Sequence, residues 1–332
     1  MSARVLIIVP TLNESAHISS LLDVLLVEAE VLDATIVVAD GGSHDGTREI
    51  VAARAAQSTR IHLINNTRRI QSAAINLAVV LFGDRADYLI RIDAHGTYPP
   101  DYCRDLVAEA EERGVGSVVV PMTTKGEEPF QRAVATAQNS PIGTGGSAHR
   151  TGNESGPVDH GHHALMRVDA FREVGGYDET FRANEDAELD FRLRAAGHTI
   201  WLTDRTGMIY YPRATAGSLF RQYFGYGGGR ARNILKHRMR PRLRQMAPLA
   251  ILPVVLLAVL SIWHWAFLLP LLLWGIGCIA LGVHAAKKYY PEYDMPMSLS
   301  PLVGWAAMIM HFAWSSGFWL HLIQRPFRKG AA

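Results

Sequence analysis

Acidic residues that end apolar segments are the first candidates for chemistry in this chain of 332 residues. Asp40 ends the segment ATIVVAD, and Asp93 ends DYLIRID, with His95 two residues later. Residues two apart on an extended segment point to the same side, so Asp93 and His95 could face one metal ion. The alternative is that His95 packs in the turn before Pro99 and Pro100, and the residues alone favour this turn.

A second acidic pair, Glu185 and Asp186, begins the segment EDAELDFRLRAAGH. We predict a helix here that is capped by Asn184 and ended by Gly197. The helix dipole favours ionised carboxylates in the first turn, and acidic residues are common there for that structural reason. The pair alone therefore does not define a site.

Alternating apolar and amphipathic segments predict how these residues are positioned. The predicted strands are RVLIIVP, ATIVVAD, RIHLINN and DYLIRID, and the predicted helices are about Ser15 to Glu28, HDGTREIVAARAAQ (capped by Asp45 and Thr47) and IQSAAINLAVVLF. Strands that are apolar on both faces and separated by helices indicate a parallel sheet covered on both sides. Ligands bind outside the carboxyl ends of the strands in such sheets, so Asp40 and Asp93 are predicted to point into one crevice.

The first turn of the predicted sheet, VPTLNES, disfavours one common class of nucleotide-binding protein. Asp40 could hold the ribose of a nicotinamide cofactor. However, this turn lacks the glycines that let the backbone approach a pyrophosphate, and no phosphate-loop motif occurs in the sequence. A dehydrogenase is therefore disfavoured. The formal net charge of +2 gives no indication of a nucleic-acid partner.

Two charge-free segments towards the C-terminal end predict a membrane anchor. No Asp, Glu, Lys or Arg occurs from Ala247 to Ala286 or from Met295 to Gln324. Each segment exceeds the ~20 apolar residues that a membrane-spanning helix needs, and the first is long enough for two. A buried hairpin of this length in a water-soluble protein would normally carry a charged face.

Four motifs resemble those of family 2 glycosyltransferases, which have the nucleotide-sugar fold called GT-A: VPTLNES, VADGGSHDGT, IDAH and NEDAELDFRLRAAGH. The segments IDAHGTYPPDY, PIGTGGSAHR and RQYFGYG are also similar to membrane-attached exopolysaccharide enzymes of the succinoglycan ExoA type. The resemblance extends from about Val5 to Arg232, with its motifs in the expected order. It implies an α/β GT-A fold, a Rossmann-like, mostly parallel sheet with helices on both faces, followed by C-terminal transmembrane helices.

The resemblance assigns residues to a donor nucleotide and a metal ion. The implied nucleotide contacts are Pro10, Thr11 and Glu14 around the uridine, Asp40 as acceptor for the uracil ring, and Arg69, Asn76 and Asp93 nearby. Asp93 and His95 occupy the place of the family's Asp-x-Asp, which holds a divalent cation that neutralises the leaving diphosphate. Because imidazole suits manganese better than magnesium, we expect a preference for Mn²⁺ over Mg²⁺.

The resemblance also implies a general base and an acceptor side. In inverting transferases of this family the aspartate that matches Asp186 is the general base, and we expect Glu185 to assist acceptor placement. The implied acceptor and diphosphate contacts are Arg221, Gln222, Tyr226 and Arg230. The chain has Gly225 and Tyr226 where processive synthases have Arg and Trp, which favours a single addition.

Clustered histidines in the segment VDHGHHALMR leave two interpretations open. The cluster consists of Asp159, His160, His162 and His163. A zinc site would need further ligands at its usual spacing, which are missing, and His162 and His163 point opposite ways on a strand. We favour a strand that lines the acceptor side, near Gly175 and Gly176.

The predicted organisation has four parts. They are a cytosolic GT-A domain over 1–220, a basic, aromatic membrane-interface segment over 221–245, about three hydrophobic segments over 246–324 and a basic tail over 325–332. The positive-inside rule places the catalytic domain on the cytosolic side of the inner membrane. A hairpin around WHW followed by a third span would leave the tail outside, so the number of spans stays open. The stretch 123–157 is either a mobile acceptor lid or a surface loop.

Together with the resemblance, these features predict that a sugar is transferred with inversion from a UDP-sugar to a polyprenyl-diphosphate-linked saccharide in exopolysaccharide synthesis. Glucose is the donor sugar that we favour. The expected partners are the UDP-sugar, the lipid-linked acceptor, the membrane and other polysaccharide-assembly proteins. The alternatives are transfer to a different lipid acceptor and a catalytically silent membrane scaffold that binds nucleotide-sugar. The intact set of Asp40, Asp93 and Asp186 speaks against the scaffold.

Overall fold

The computed structural model describes residues 3–145, 154–241, 247–293 and 296–328. The chain divides into two compact units that interleave along the sequence. The first unit consists of Met1–Met122 and Gly152–Tyr210, and the second of Thr123–Thr151 and Tyr211–Ala332. The predicted domains follow the chain without interruption, whereas Thr123–Thr151 groups with the C-terminal residues.

A mostly parallel sheet of eight strands forms the centre of the first unit, as predicted. The strands of the chain are β1 (Val5–Thr11), β2 (Thr35–Asp40), β3 (Ile61–Asn65), β4 (Tyr88–Arg91), β5 (Ser117–Val120), β6 (Met122–Thr124), β7 (Gly156–Pro157), β8 (His162–Arg167), β9 (Ile200–Leu202) and β10 (Met208–Tyr210). The order in the sheet is β3-β2-β1-β4-β8-β5-β9-β7. Strands β1 to β4 are mutually parallel, and β8 runs antiparallel between β4 and β5.

Helices cover both faces of this sheet. Those of the first unit are α1 (Ile18–Leu32), α2 (Thr47–Gln57), α3 (Gln71–Phe82) and α4 (Tyr102–Arg113), and later α7 (Val168–Glu173) and α8 (Glu185–Ala195); α5 (Pro129–Gln138) and α6 (Pro141–Thr144) belong to the second unit. Alternate residues of β1 explain the two layers. Ile7 packs in one core with Leu22 of α1, and Ile8 packs in the other with Ile75 of α3 and Leu189 of α8. The predicted α/β architecture is confirmed.

The first helix begins later than its amphipathic pattern predicts. Residues after Ser15 form a turn in which the Glu14 carbonyl accepts hydrogen bonds from the N–H groups of His17 and Ile18. The helix then continues to Leu32, beyond the predicted end at Glu28, because Leu25 and Ala29 extend its buried face.

A hydrogen-bonded turn at the start of α2 ties two loops of the carboxyl edge together. Gly46 occupies the N-cap position, and Asp45 Oδ1, one residue earlier, accepts from the N–H (3.1 Å) and hydroxyl (2.6 Å) of Thr47. Thr47 Oγ1 accepts the Glu14 N–H at 2.8 Å. The hydrogen bond from Thr47 holds the pKa of Asp45 well below its ordinary value. Asp45 and Thr47 thus stabilise the turn before α2, but the cap position belongs to Gly46 and no side chain caps the helix, so the predicted caps are wrong.

The predicted boundaries of α8 are confirmed, but its predicted cap is wrong. Gly197 follows the helix with a φ of +92°, which suits glycine at a helix end. Asn184 precedes the helix with a left-handed φ of +60°, and its side chain makes no capping hydrogen bond. The geometry explains this, because a capping side chain normally requires an extended backbone at that position.

Long helices dominate the second unit. They are α9 (Ala216–His237), α10 (Ile251–Ala258), α11 (Leu269–Tyr293) and α12 (Pro301–Arg328). Helix α9 begins with a capping box in which Thr215 Oγ1 accepts the Ser218 N–H at 3.2 Å. A Cβ added at Gly227 of α9 would collide with the Trp314 carbonyl, and one added at Gly317 of α12 would collide with the Phe224 carbonyl. The two helices therefore pack backbone against backbone at these glycines.

Gly227→Ala is expected to lower the thermal unfolding midpoint of the purified protein. The added methyl group has no space against the Trp314 carbonyl, and overpacking of this kind costs about 1–3 kcal/mol. Gly277→Ala on α11 is the matched control, because a Cβ there meets nothing within 4 Å. Equal midpoints for the two variants would contradict the close packing.

Two helices of the second unit are long and apolar enough to cross a membrane. These helices are Trp265–Lys288 and Met297–Gln324. The helical stretch Ala247–Ile262 is also apolar but is too short to cross a membrane. The break falls at His264, whose backbone is extended with φ −156° and ψ 126°. The sequence predicts about three hydrophobic segments, and the structure gives two of spanning length because the first charge-free segment is divided at this break.

Candidate active site

Asp40 and Asp93 both lie at the carboxyl edge of the sheet, as the sequence predicts. Asp40 is the last residue of β2, and Asp93 follows the end of β4 by two residues, on either side of β1. The hydroxyl of Tyr98 accepts the Asp93 N–H at 2.8 Å and donates to the Asp93 carbonyl at 3.2 Å. Tyr98 therefore fixes the backbone that carries Asp93.

A buried arginine joins Asp93 to the second predicted acidic residue. Arg91 donates from Nη1 to Asp186 Oδ1 at 2.8 Å and from Nε to Asp93 Oδ1 at 3.2 Å. Its side chain is 5% exposed. Burial alone would lower the pKa of Arg91, but the Asp186 and Asp93 carboxylates raise it well above its ordinary value. One guanidinium thus holds the carboxylate of Asp93, 2 positions away, and that of Asp186, 95 positions away.

The Asp93 carboxylate is ionised and held by several neighbours. Gln71 Nε2 donates to its Oδ1 at 2.6 Å, and His162 Nε2 lies 3.8 Å from its Oδ2. Burial would raise the pKa of Asp93, but Arg91 and then His162 outweigh burial and hold the pKa well below its ordinary value. Gln71, Arg91 and Tyr98 were not among the residues that the sequence predicts for the site. A charged residue within the apolar segment DYLIRID is the one signal that could have indicated Arg91.

His95 and Glu14, predicted for different tasks, contact each other. His95 Nδ1 lies 3.1 Å from Glu14 Oε1, and the His95 side chain is half-exposed. The contact joins the first loop, after β1, to the turn after β4. It neither assigns nor excludes a metal at Asp93 and His95, so that role stays a prediction. Among the residues that the structure describes, no group of three or more His, Cys, Asp or Glu side chains is arranged to hold a metal ion.

Asp40 holds the turn that follows β2. Its fully buried carboxylate accepts hydrogen bonds from the Gly42 N–H at 2.8 Å, the Ser43 hydroxyl at 2.5 Å and Arg48 Nη1 at 2.6 Å. Burial would raise the pKa of Asp40, but the bonds from Ser43 and Arg48 lower it below its ordinary value. The structure thus shows turn chemistry at Asp40, and its contact with uracil stays a prediction.

The remaining residues predicted for the nucleotide differ in their surroundings. Pro10 and Thr11 end β1, and the buried Thr11 hydroxyl has no hydrogen-bond partner among the described residues. Arg69 has a left-handed φ of +57° and lies beside Gly42. Asn76 instead contacts the chain itself, since its amide accepts the Tyr177 N–H and donates to the Tyr177 carbonyl, both at 2.9 Å. These contacts give Asn76 a structural task in holding the loop before α8.

Glu185 and Asp186 are the first two residues of α8, and their pKa values are shifted in opposite directions. Burial and then the neighbouring Asp186 charge raise the pKa of Glu185 to about 7. Burial would also raise the pKa of Asp186, but Arg91 and then His163 outweigh it and keep the pKa below its ordinary value. Asp186 is therefore the ionised member of the pair at neutral pH, as a general base must be.

Glu185→Gln is expected to raise the thermal midpoint more at about pH 8 than at about pH 5. The folded protein holds the Glu185 proton up to about pH 7, whereas the unfolded chain releases it near the ordinary pKa of glutamate. Stability is therefore lost as pH rises between these two values, and the glutamine variant avoids that loss. Glu49→Gln, at an exposed position of α2, is the control. A gain independent of pH would contradict the raised pKa.

The predicted acceptor residues lie on α9 in the second unit. Gln222, Tyr226 and Arg230 are four residues apart and share one face of the helix. Gln222 Nε2 donates to the Tyr226 hydroxyl at 3.1 Å. Arg221 lies beside this face and is exposed. Their role towards an acceptor stays a prediction.

Comparison with known proteins defines the class of this chain. Residues 6–175 match the model of glycosyl transferase family 2. The chain is also 52% identical over 331 residues to the succinoglycan biosynthesis protein ExoA of Rhizobium meliloti (strain 1021), covering 100% of this chain and 98% of that relative. The chain therefore belongs to glycosyl transferase family 2 and is a glycosyltransferase, which confirms the resemblance found in its motifs.

Solved structures agree on the fold. The mannosyltransferase PcManGT from Pyrobaculum calidifontis, in complex with GDP-Man and Mn²⁺, superposes with a TM-score of 0.57 at 19% identity, covering 91% of this chain and 86% of that chain. GalNAc-T7 with UDP, GalNAc and Mn²⁺ superposes with a TM-score of 0.52 at 13% identity, covering 70% of this chain and 47% of that chain. At these identities the likeness shows the GT-A fold.

Proposed function

We propose that this glycosyltransferase moves a sugar from a UDP-sugar to a polyprenyl-diphosphate-linked saccharide in the synthesis of an exopolysaccharide. The transfer inverts the anomeric configuration, and glucose is the favoured donor sugar. The observation that carries the proposal is the pair of ionised carboxylates, Asp93 and Asp186, joined by Arg91 at the carboxyl edge of the sheet. The similarity to a succinoglycan biosynthesis protein supports a role in exopolysaccharide synthesis.

The uridine pocket in this proposal lies at the ends of β1 and β2. Pro10, Thr11 and Glu14 line it, and the unpartnered Thr11 hydroxyl supplies a buried polar group for the nucleotide. Asp40 Oδ2 is engaged by the Gly42 N–H and Arg48, whereas Oδ1 accepts its short bond from Ser43. A carboxylate has about four lone-pair sites. The Ser43 N–H also bonds to Oδ1, at 3.4 Å, so Asp40 would accept the imide N–H of uracil in exchange for one of these turn contacts.

Asp186 acts as the general base. It removes the proton from the acceptor hydroxyl while that oxygen attacks the anomeric carbon from the face opposite the diphosphate. The bond between the anomeric carbon and the diphosphate oxygen breaks, and its electron pair leaves on UDP. Glu185, which is neutral below about pH 7, donates a hydrogen bond that places the acceptor. Attack opposite the leaving group inverts the anomeric configuration.

A divalent cation fits the donor set at Asp93 and His95. An ionised carboxylate and a half-exposed imidazole lie on the same turn after β4, and imidazole suits Mn²⁺ better than Mg²⁺. When bound, the cation supplies positive charge that neutralises the leaving diphosphate. Arg91 and Gln71 keep Asp93 ionised and oriented for this task. The two solved neighbours that contain Mn²⁺ with a nucleotide or nucleotide-sugar support the proposal.

His95→Ala is expected to remove the preference for manganese. Rates of transfer with Mn²⁺ and Mg²⁺, measured at saturating donor, should differ for the wild type and approach each other in the variant, with weaker Mn²⁺ binding. His44→Ala is the control, since its exposed side chain lies in the neighbouring turn after β2. Full transfer by the wild type with Mg²⁺ and unchanged metal affinity in His95→Ala would contradict a ligand role.

We place the chain in the inner membrane with its catalytic unit in the cytosol. The helix Trp265–Lys288 exposes apolar side chains outward, among them Leu273 and Ile276, which favours lipid around it. Two spans return the basic tail, 325–332, to the side of the basic segment 221–245, in accord with the positive-inside rule. The exposed pair Trp263 and Trp265 suits a membrane–water interface.

The proposal is tested by incubating the purified chain with lipid extract, Mn²⁺ and a panel of UDP-sugars. Transfer to a lipid-linked product, strongest with UDP-glucose, is expected. Tight UDP binding without transfer from any donor would contradict the enzyme mechanism and favour the nucleotide-sugar-binding scaffold. Transfer to a lipid without a diphosphate would instead favour a different lipid acceptor.

A further inference from the structure

A series of polar side chains, each in contact with the next, extends from Asp186 into the protein and has no part in the proposed mechanism. The Tyr177 hydroxyl lies 3.2 Å from Asp186 Oδ1 and 2.6 Å from His163 Nδ1. His163 Nε2 lies 2.7 Å from Asp190 Oδ1. Asp190 Oδ2 in turn lies 2.7 Å from Nδ1 of His160. These contacts connect β8 and the loop before it to α8, and Tyr177 contributes from the loop before α8.

Three of these four groups are almost completely buried, whereas the His160 side chain is 33% exposed. The His163 side chain is fully buried, the Asp190 side chain is 1% exposed, and Tyr177 is 3% exposed. Burial would lower the pKa of His163, but the Asp190 and Asp186 carboxylates raise it above its ordinary value. Burial, then Asp186, raise the pKa of Tyr177 well above its ordinary value, so its hydroxyl keeps its proton. Buried polar groups of this kind are costly unless each is paired, and here they are.

All contacts of the Asp186 carboxylate fall on one oxygen. Among the described residues, Arg91 Nη1 at 2.8 Å, the Tyr177 hydroxyl at 3.2 Å and His163 Nδ1 at 3.5 Å all approach Oδ1. The hydrogen bonds from Arg91 and Tyr177 fix the orientation of the carboxylate. The His163 ring, whose Nδ1 pairs with the Tyr177 oxygen at 2.6 Å, holds that hydroxyl in place and lies beside Oδ1 as an ion-pair partner. These contacts leave Oδ2 as the atom that can accept a proton.

We propose that His163, held by Asp190, is a positioning residue that fixes Asp186 Oδ1 together with Tyr177 and so presents Oδ2 to the acceptor hydroxyl. This inference rests on the proposed role of Asp186 as general base. It gives His163 of the histidine cluster a task other than zinc binding. Arg91 holds the carboxylate from β4, and His163 holds it from β8.

The charges that face Asp186 predict how its pH dependence responds. They are Arg91 from β4, His162 and His163 from β8, Tyr177 from the loop before α8, and Glu185 and Asp190 from α8 itself. His163 favours the ionised form of Asp186. Removing it should therefore move the acidic limb of the rate profile to higher pH.

His163→Gln tests the inference in the full-length chain. We expect kcat to fall about 10- to 100-fold, with the dissociation constant for the UDP-sugar unchanged within about two-fold. The apparent pKa of the acidic limb in the pH profile of kcat/KM should rise by about one unit. His198→Gln is the matched control, since that histidine forms an exposed pair with Glu173 in the same unit, and it should behave as the wild type.

Tyr177→Phe keeps the inference testable if His163→Gln does not fold, because it removes the hydroxyl alone. It should shift the limb in the same direction by a smaller amount. A variant with wild-type kcat, or one that loses donor binding and turnover together without a shift of the limb, would overturn the positioning role. Absence of transfer by the wild type with every donor would overturn the proposed function itself, whereas an active wild type with an unaffected His163→Gln overturns only this inference.

Discussion

Asp186→Asn is expected to lower kcat about 100- to 10,000-fold. The amide keeps the shape of the side chain and its contact with Arg91, but it cannot take a proton from the acceptor hydroxyl. Binding of the UDP-sugar, measured by calorimetry, should remain within about two-fold of the wild type. The prediction follows from the low pKa of Asp186, which makes it the ionised carboxylate of the pair at neutral pH.

Asp169→Asn is the matched control for this substitution. Asp169 forms an ion pair with Arg167 in the same unit, and its side chain is 63% exposed. The same chemical change there should leave transfer unaffected, because exposed ion pairs contribute little. Substantial turnover in Asp186→Asn, or a parallel loss of donor binding, would show that another group is the base.

Arg91→Met is expected to reduce both stability and transfer. The substitution leaves the carboxylates of Asp93 and Asp186 buried without their shared cation, and removing one partner of a buried ion pair costs about 3–5 kcal/mol. Transfer should fall with it, because both carboxylates lose their orientation and shift towards the neutral acid. Thermal unfolding and transfer assays on the same preparation measure the two effects.

Arg91→Lys separates charge from geometry at this position. Lysine keeps the positive charge but cannot bond to two carboxylates in one plane, so stability should recover more than transfer does. Arg167→Met, on an exposed pair, controls for the loss of an arginine. Wild-type stability and turnover in Arg91→Met would contradict the account of a single cation that organises the site.

The strands and their functional ends could be predicted from the sequence because the signals are local. Apolar segments of strand length end at Asp40 and close to Asp93, and parallel strands bring their carboxyl ends to one edge. Helix α8 could be placed for the same reason, with Gly197 beyond its end. The cap at Asn184 could not, since asparagine suits both an N-cap and a left-handed backbone, and the chain adopts the left-handed one here.

The contacts that tune the site could not be predicted, because they join residues far apart in sequence. Arg91 meets Asp186 across 95 positions, and His163 meets Asp190 across 27 positions. A histidine pair on a strand and an arginine in an apolar segment carry no local sign of these partners. The interleaved second unit was missed for a similar reason, since Thr123–Thr151 contains no signal that assigns it to the C-terminal helices.

In the C-terminal region, composition predicts one property and the structure shows another. The absence of charge from Ala247 to Ala286 indicates an apolar environment but not the number of spans. The helix break at His264 leaves the helical stretch Ala247–Ile262 short and makes Trp265–Lys288 long enough to span a membrane. In the membrane placement that we propose, two spans avoid the conflict that three would create for the basic tail.

The anomeric configuration of the product tests the central claim most directly. The purified chain is supplied with α-linked UDP-[¹³C]glucose, Mn²⁺ and lipid-linked acceptor, and the ¹³C-coupled anomeric signal of the isolated product is recorded by NMR. Transfer with Asp186 as base, opposite the leaving diphosphate, predicts a β-linked glucose. An α-linked product would contradict the inverting mechanism, and release of free glucose without a lipid-linked product would contradict transfer to that acceptor.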